Sequence, residues 1–302
     1  MTFSIVGIDI ERREIGFAIA SCTWDAGMVG TAVAELGALC SQAQGYFPFH
    51  SLFYEKLSEG LKVSEILEEF RKTDEDFETR QVGMVSFTGE AFAFTGTETD
   101  DYAGHIIGNG YTCQGNILTG RDVLESMAKA FESTKGMLAE RLYAALQAGD
   151  DVGGDLRGKM SARVLVKKKG AGLEDTYIDF TVEDHDEPVH EIGRLLGVLK
   201  KVYRAYQLQQ AVEKAESDEK ISALEEMELY LSDKVDRTVV DYHTFVGETS
   251  LELGLREKAV QAFQRVLMIS PGLSRYLKKE KEEGRMAADF IDQVFSELDK
   301  RS

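Results

Sequence analysis

The chain begins with two apolar runs of strand length, 3–9 (FSIVGID) and 14–21 (EIGFAIAS), separated by the charged turn Ile10-Glu11-Arg12-Arg13. Such neighbours pair as an antiparallel hairpin, and a turn centred near residue 12 places position 2 opposite positions 21–23. A third β-like run, AVAELGALCSQA at 32–43, alternates small and apolar residues. The period then changes. Val63, Ile66, Leu67 and Phe70 keep the spacing of one helical face. Strand patterns return at 80–87 and 91–95, around the turn Thr88-Gly89-Glu90, and a glycine-punctuated β segment covers 104–118. The next helical block starts with Thr119 as its expected N-cap and Asp122 three positions on. Leu124, Met127, Ala128 and Phe131 form its apolar stripe. A helix at 137–148, the linker DDVGGDLRG and strands at 161–167 and 176–182 follow. An amphipathic helix then opens near Pro188 and carries Val189, Ile192, Leu195, Leu196, Leu199, Val202 and Tyr206 on one face.

The order is strands, two helices, strands, two helices, strands. Two helical layers outside two packed sheets would bury every stripe. The expected fold over residues 1–205 is therefore α+β, a four-layer αββα sandwich. Residues 206–302 are expected to be a small all-α extension. Within it Val246, Gly247, Gly254, Ala259, Phe263 and Pro271 have the spacing of a tetratricopeptide repeat, flanked by helices at 219–232 and 274–299. One such unit needs neighbours to bury its face, so the tail is expected to pack on the main domain or on another subunit, with homo-oligomer formation as the consequence. A peptide-binding groove is the sharper alternative.

Charge narrows the partners. A net charge of −18 over 302 residues argues against nucleic acid and against anionic lipid. No apolar run reaches membrane-spanning length, and the start lacks a basic-then-apolar signal pattern. Cys22, Cys40 and Cys113 are too scattered for a disulfide framework or a zinc cluster, and the reducing cytoplasm is the expected location. The acidic run from Asp184 to Glu191 reads as a helix start, and His185 and His190 lack a standard ligand spacing. No metal or cofactor is expected.

Several segments carry a resemblance: MTFSIV at the start, CSQA at 40–43, RQVGMV at 80–85, AGHIIGNGYTCQGNIL at 103–118 and GGDLRGKMSA at 153–162. Over roughly residues 1–203 the chain resembles the domain of unknown function 1028 family, whose members share the fold of N-terminal-nucleophile (Ntn) hydrolases. The resemblance implies the αββα sandwich reached above from element order. It also implies that Thr2 heads a central strand and, once Met1 is trimmed, attacks an amide. The chain departs from the family pattern at Gly30-Thr31 and Asp101-Tyr102, where family members often carry proline–tryptophan pairs, and at Cys22, where family members often have a lysine after the residue matching Ser21. If the acidic segment 97–101 borders the pocket, it favours a cationic or polar substrate.

The chemistry is compact. A hydroxyl needs an adjacent base to attack, and an α-amine with an ordinary pKa of about 7.7–8.0 serves as one. Thr2 would supply both groups. The hairpin places Ser21 beside it as an orienting group, and Asn116 is a candidate amide donor. Gln114, Gln42 and His105 join as candidate substrate-binding residues, with Asp155 and Arg157 in the polar linker. Arg157 is suited to a substrate carboxylate, and the bland reading of Asp155 and Arg157 is a structural ion pair. For Asn116 and Gln114 the bland reading is satisfaction of buried backbone groups. His105 in a β-like segment reads more as packed core than as a base. The expected function is an Ntn amidohydrolase acting on a small linear or cyclic amide. The alternative is a non-catalytic binding or assembly protein whose helical tail mediates oligomerisation or partner docking.

Overall fold

A computed structural model describes residues 2–299, the side chains at 218, 297 and 299 apart. The chain divides into two compact units between Leu196 and Gly197.

In the first unit, β1 (Thr2–Asp9) and β2 (Glu14–Ser21) form the hairpin that their apolar runs predict, with Thr2 opposite Ser21. The run at 32–43 is not one strand. Glu35, at a φ of 61°, turns the chain between β3 (Gly30–Val33) and β4 (Gly37–Ala43). The first helical block holds the two helices that the element order expects: α2 (Val63–Thr73) follows the stripe named for it, whereas α1 (Pro48–Ser58) lies where no stripe was named. Then come β5 (Arg80–Ser86), β6 (Ala91–Thr95), β7 (Gly104–Gly108) and β8 (Tyr111–Asn116). The single segment expected at 104–118 is thus a hairpin, reversed at Asn109-Gly110 where Gly110 takes a φ of +73°. α3 (Asp122–Ser133), α4 (Leu138–Asp151), β9 (Ser161–Lys167) and β10 (Thr176–Val182) complete the unit with the start of α5 (Pro188–Lys214). Thr119 is not the N-cap. Arg121 precedes α3 without a side-chain cap, and the Thr119 hydroxyl donates to the Val152 carbonyl at 3.4 Å.

The strands form two antiparallel sheets, ordered β10-β9-β2-β1-β8-β7 and β3-β4-β5-β6. Alternation along a strand sends successive side chains to opposite faces. Val6, Ile8, Phe17, Ile19 and Leu165 of the larger sheet pack with Ala32, Ala38, Cys40 and Val85 of the smaller one. The smaller sheet's other side chains, Leu39, Val82 and Met84, join Phe49, Phe53, Ile66 and Phe70 of α1 and α2. The Phe49 and Phe70 rings stack there with centroids 4.1 Å apart. On the larger sheet Gly7 is bare because a Cβ would meet Phe131 of α3 at 3.0 Å and Leu142 of α4 at 3.4 Å.

The second unit is helical throughout its described length: the later part of α5, then α6 (Ser217–Leu231), α7 (Val240–Glu252), α8 (Arg256–Ile269), α9 (Ser274–Glu282) and α10 (Ala288–Asp299). Gly247 lets α7 approach Phe263 of α8, since a Cβ there would lie 2.7 Å from the ring. The helix expected over 274–299 is two, broken at Gly284 with a φ of +67°. Among the described residues no helix is long and apolar enough to cross a membrane.

Candidate active site

Thr2 lies at the head of β1, between β2 and β8, with Ser21 and Asn116 as its two cross-strand partners. Its hydroxyl is 3.2 Å from that of Ser21, and the residue is 7% exposed. Thr2 and Ser4 point to the same side as Val6 and Ile8, into the space between the sheets. At this end of the strand that space is polar, whereas farther along it is apolar.

The polar side chains satisfy one another. Gln42 of β4 donates to the Thr2 carbonyl at 3.3 Å and to Gln81 Oε1 at 2.9 Å, and accepts from the Ser4 hydroxyl at 2.6 Å. Gln114 of β8 donates to Ser4 at 2.6 Å, and Asn116 donates to Gln81 Oε1 at 2.9 Å. Gln81 of β5 in turn donates towards Thr95, Gly104 and Gly115. Thr95 Oγ1 stands 2.8 Å from His105 Nδ1. An unpaired buried polar group costs about 1–3 kcal/mol, which explains why so many amides gather here. Gln114 Oε1 is the exception, buried with no partner. Gly83 makes room for this amide, because a Cβ there would sit 2.1 Å from Gln114 Oε1.

Of the residues named from sequence, Thr2, Ser21, Asn116, Gln42 and Gln114 therefore meet in one network. His105 joins through Thr95 at the rim, and its side chain is exposed rather than packed in the core. Asp155 lies beside the network, bridged to Leu118 two residues beyond Asn116. Its side chain is wholly buried, accepting from the Cys22 amide at 3.2 Å and the Arg157 amide at 2.9 Å. Arg157 is half exposed and its guanidinium stands 3.5 Å from Asp155. Asp155 thus ties the polar linker to the end of β2 beside Ser21. Asp155→Ala is expected to cost about 2 kcal/mol by stranding two amide donors, measured as a lowered urea midpoint.

Three members were not anticipated: Gln81, Ser4 and Thr95. The available signal was parity. Ser4 shares its face with Thr2, and Gln81 shares one with Val85, so each is a polar residue on an inward-facing strand position. Two buried thiols border the network, Cys40 against Ser4 and Cys113 beside Gln114 on β8. Burial pushes the Cys40 thiol up to about 12, and Cys113 is raised by the same cause. Neither is a nucleophile at neutral pH. His190 lies with Asp150 and Asp151, their ligand atoms within 4.8 Å of one another, a juxtaposition that spacing did not reveal. The Lys159 ammonium already sits 2.6 Å from Asp150 and 2.8 Å from Glu187.

Comparison with known proteins places the molecule. The model of a family described as of unknown function, DUF1028, matches residues 2–192. The chain belongs to that family. The DUF1028 match spans every strand and the residues of the network, and ends before the second unit. The crystal structure of protein SPO2555 from Silicibacter pomeroyi, assigned to DUF1028 as well, is similar at 27% identity with a TM-score of 0.60. The similarity covers 65% of this DUF1028 chain and 88% of that one. No curated protein matches.

Proposed function

We propose that this protein is an N-terminal-nucleophile amide hydrolase built on a four-layer αββα sandwich, with Thr2 as the attacking residue. The observation that carries the reading is the position of Thr2 at the end of a central strand, its hydroxyl against Ser21 and its carbonyl held by Gln42. The reading requires removal of Met1, a residue outside those described.

The chemistry then uses one residue twice. The neutral amine of Thr2 takes the hydroxyl proton as Oγ1 bonds to the substrate carbonyl carbon, and the carbonyl electron pair moves onto its oxygen. When the intermediate collapses, the C–N bond breaks and the amine's proton passes to the leaving nitrogen. Water adds to the resulting ester, giving up a proton to the amine; the C–Oγ1 bond then breaks, the amine returns that proton to Oγ1, and the acid is released. Ser21 orients the hydroxyl, and a small linear or cyclic amide is the proposed substrate class. The polar loop 97–101 and Arg157 are the proposed sources of selectivity. The tail, with its tetratricopeptide-like α7–α8 pair, is proposed to mediate self-association.

The test has two parts. Intact mass of the purified full chain is expected to lack one methionine. A β-lactone probe, which opens onto a hydroxyl without a leaving group, is expected to add once, at residue 2 in the N-terminal peptide. Retained Met1, or addition elsewhere only, would sink the reading.

A further inference from the structure

Gln81 is wholly buried on β5 and hydrogen-bonds at both ends of its amide. Its Nε2 lies 2.8 Å from the Gly115 carbonyl, 3.0 Å from the Gly104 carbonyl and 2.9 Å from Thr95 Oγ1. A main-chain carbonyl only accepts. The end of Gln81 that faces two of them must therefore be its NH2, which removes the usual ambiguity in the direction of an amide.

The rest of the network inherits that direction. Gln81 Oε1 faces Gln42 and Asn116, each at 2.9 Å, so both must turn their nitrogens towards it. Gln42 is then left with its oxygen towards the Ser4 hydroxyl and its nitrogen within 3.3 Å of the Thr2 carbonyl. Asn116, with its nitrogen engaged, turns its oxygen away from Gln81. Asn116 is the cross-strand partner of Thr2, and opposed side chains of an antiparallel pair are within reach of one another.

We propose that Gln81 is a positioning residue: it sets the direction of the Asn116 and Gln42 amides, so that Asn116 offers an acceptor oxygen to the α-amine of Thr2. The proposal rests on the Thr2 reading and refines it. It also revises the role expected of Asn116, from amide donor to acceptor for the base. An N–H donated to Asn116 fixes the amine, and fixes its lone pair relative to the hydroxyl that must lose a proton. Two backbone carbonyls in the strands β7 and β8 thereby control the orientation of a group three hydrogen bonds away.

The experiment is the pH profile of β-lactone acylation at residue 2 for the full-length wild type, Gln81→Met and Gln81→Glu, with far-UV circular dichroism to establish folding. Methionine matches glutamine in length but neither donates nor accepts strongly at its end. Asn116 is then free to turn its NH2 to the amine, and a donor facing an ammonium disfavours the charged form. The expected result is a plateau rate about tenfold lower. It is accompanied by a half-maximal pH about half a unit lower. Glutamate, while protonated, still offers one acceptor and one donor. Gln81→Glu is therefore expected to keep most of the rate at low pH and to lose it as its carboxyl ionises. A lower plateau with an unmoved midpoint, or wild-type profiles in both variants, would overturn the proposal by leaving Gln81 a packing residue only. If the methionine variant does not fold, the glutamate profile decides alone. A wild type that does not label at residue 2 fails the Thr2 reading itself, a result separate from any difference among the variants.

Discussion

Thr2→Ala is expected to abolish acylation of residue 2 by the β-lactone, whereas Thr2→Ser is expected to retain it. Losing a nucleophile outright removes the step in which the bond forms, and in serine enzymes such losses reach about a millionfold. A fall of at least about a thousandfold in labelling rate is expected here. Serine keeps the hydroxyl and the amine but lacks the methyl group that restricts rotation about χ1, so a few-fold loss suffices for it. The alanine variant should remain folded. Its backbone still pairs with β2 and β8, and the lost contact is a single hydroxyl pair at 3.2 Å, worth about 1 kcal/mol. Loss of labelling is then chemical rather than structural. The wild-type rate should rise with pH through the amine's titration, near its ordinary range of about 7.7–8.0, because only the neutral amine accepts the hydroxyl proton. Labelling of Thr2→Ala at the wild-type rate would show that another group carries the reaction.

The strands were legible where local pattern and tertiary demand agree. β1 and β2 are near-continuous apolar runs because both are central strands with buried faces on either side. That made the Thr2–Ser21 register readable from the turn alone. The pattern failed where one residue's backbone conformation decides the outcome. Glu35 breaks the 32–43 run, and neither a positive φ at a glutamate nor its position leaves a periodic trace. The position of α1 is not legible because Phe49 and Phe53 are its only buried residues, so little of its surface is patterned. In the site, Gln42, Gln114 and Asn116 stood out as polar residues in resembling segments. Gln81 lies in such a segment too, RQVGMV, but was not singled out, although it links them. Its importance comes from contacts with Gly104 and Gly115, which are distant from it in sequence and brought to it by the β7–β8 hairpin and the packing of that hairpin against β5 of the other sheet. The charged run 184–191 was read locally as a helix start, and the structure adds a long-range partner, Lys159.

The neighbouring residue on β5 offers a test of how firmly this scaffold is held. Arg80→Leu is expected to cost about 3–5 kcal/mol at neutral pH, read as a lowered urea midpoint. The Arg80 and Asp74 side chains are 10% and 5% exposed, and Nε donates to Oδ2 at 2.7 Å. A second guanidinium nitrogen donates to the Gln44 carbonyl at 2.8 Å. Leucine fills much of the volume but leaves Asp74 a buried carboxylate without its cation, accepting from the Asp76 amide at 3.1 Å, which is the costly half of breaking such a pair. The double variant with Asp74→Leu should regain most of the loss. The sign of the pH dependence follows from Asp74. Arg80 holds its carboxyl below the ordinary range, so the pair's contribution is complete above the unfolded value of about 3.9 and fades as pH falls through the folded one. In the variant the carboxyl instead titrates upward, and protonation relieves it sooner. The gap between wild type and Arg80→Leu should therefore be widest near pH 7 and close below about pH 4. A gap under about 1 kcal/mol at pH 7, the range of an exposed pair, would show that the carboxylate finds water and that this edge of β5 is loosely held. A wide gap that closes with acid would mean that Gln81, one residue on, is presented to Asn116 from a backbone anchored by charge.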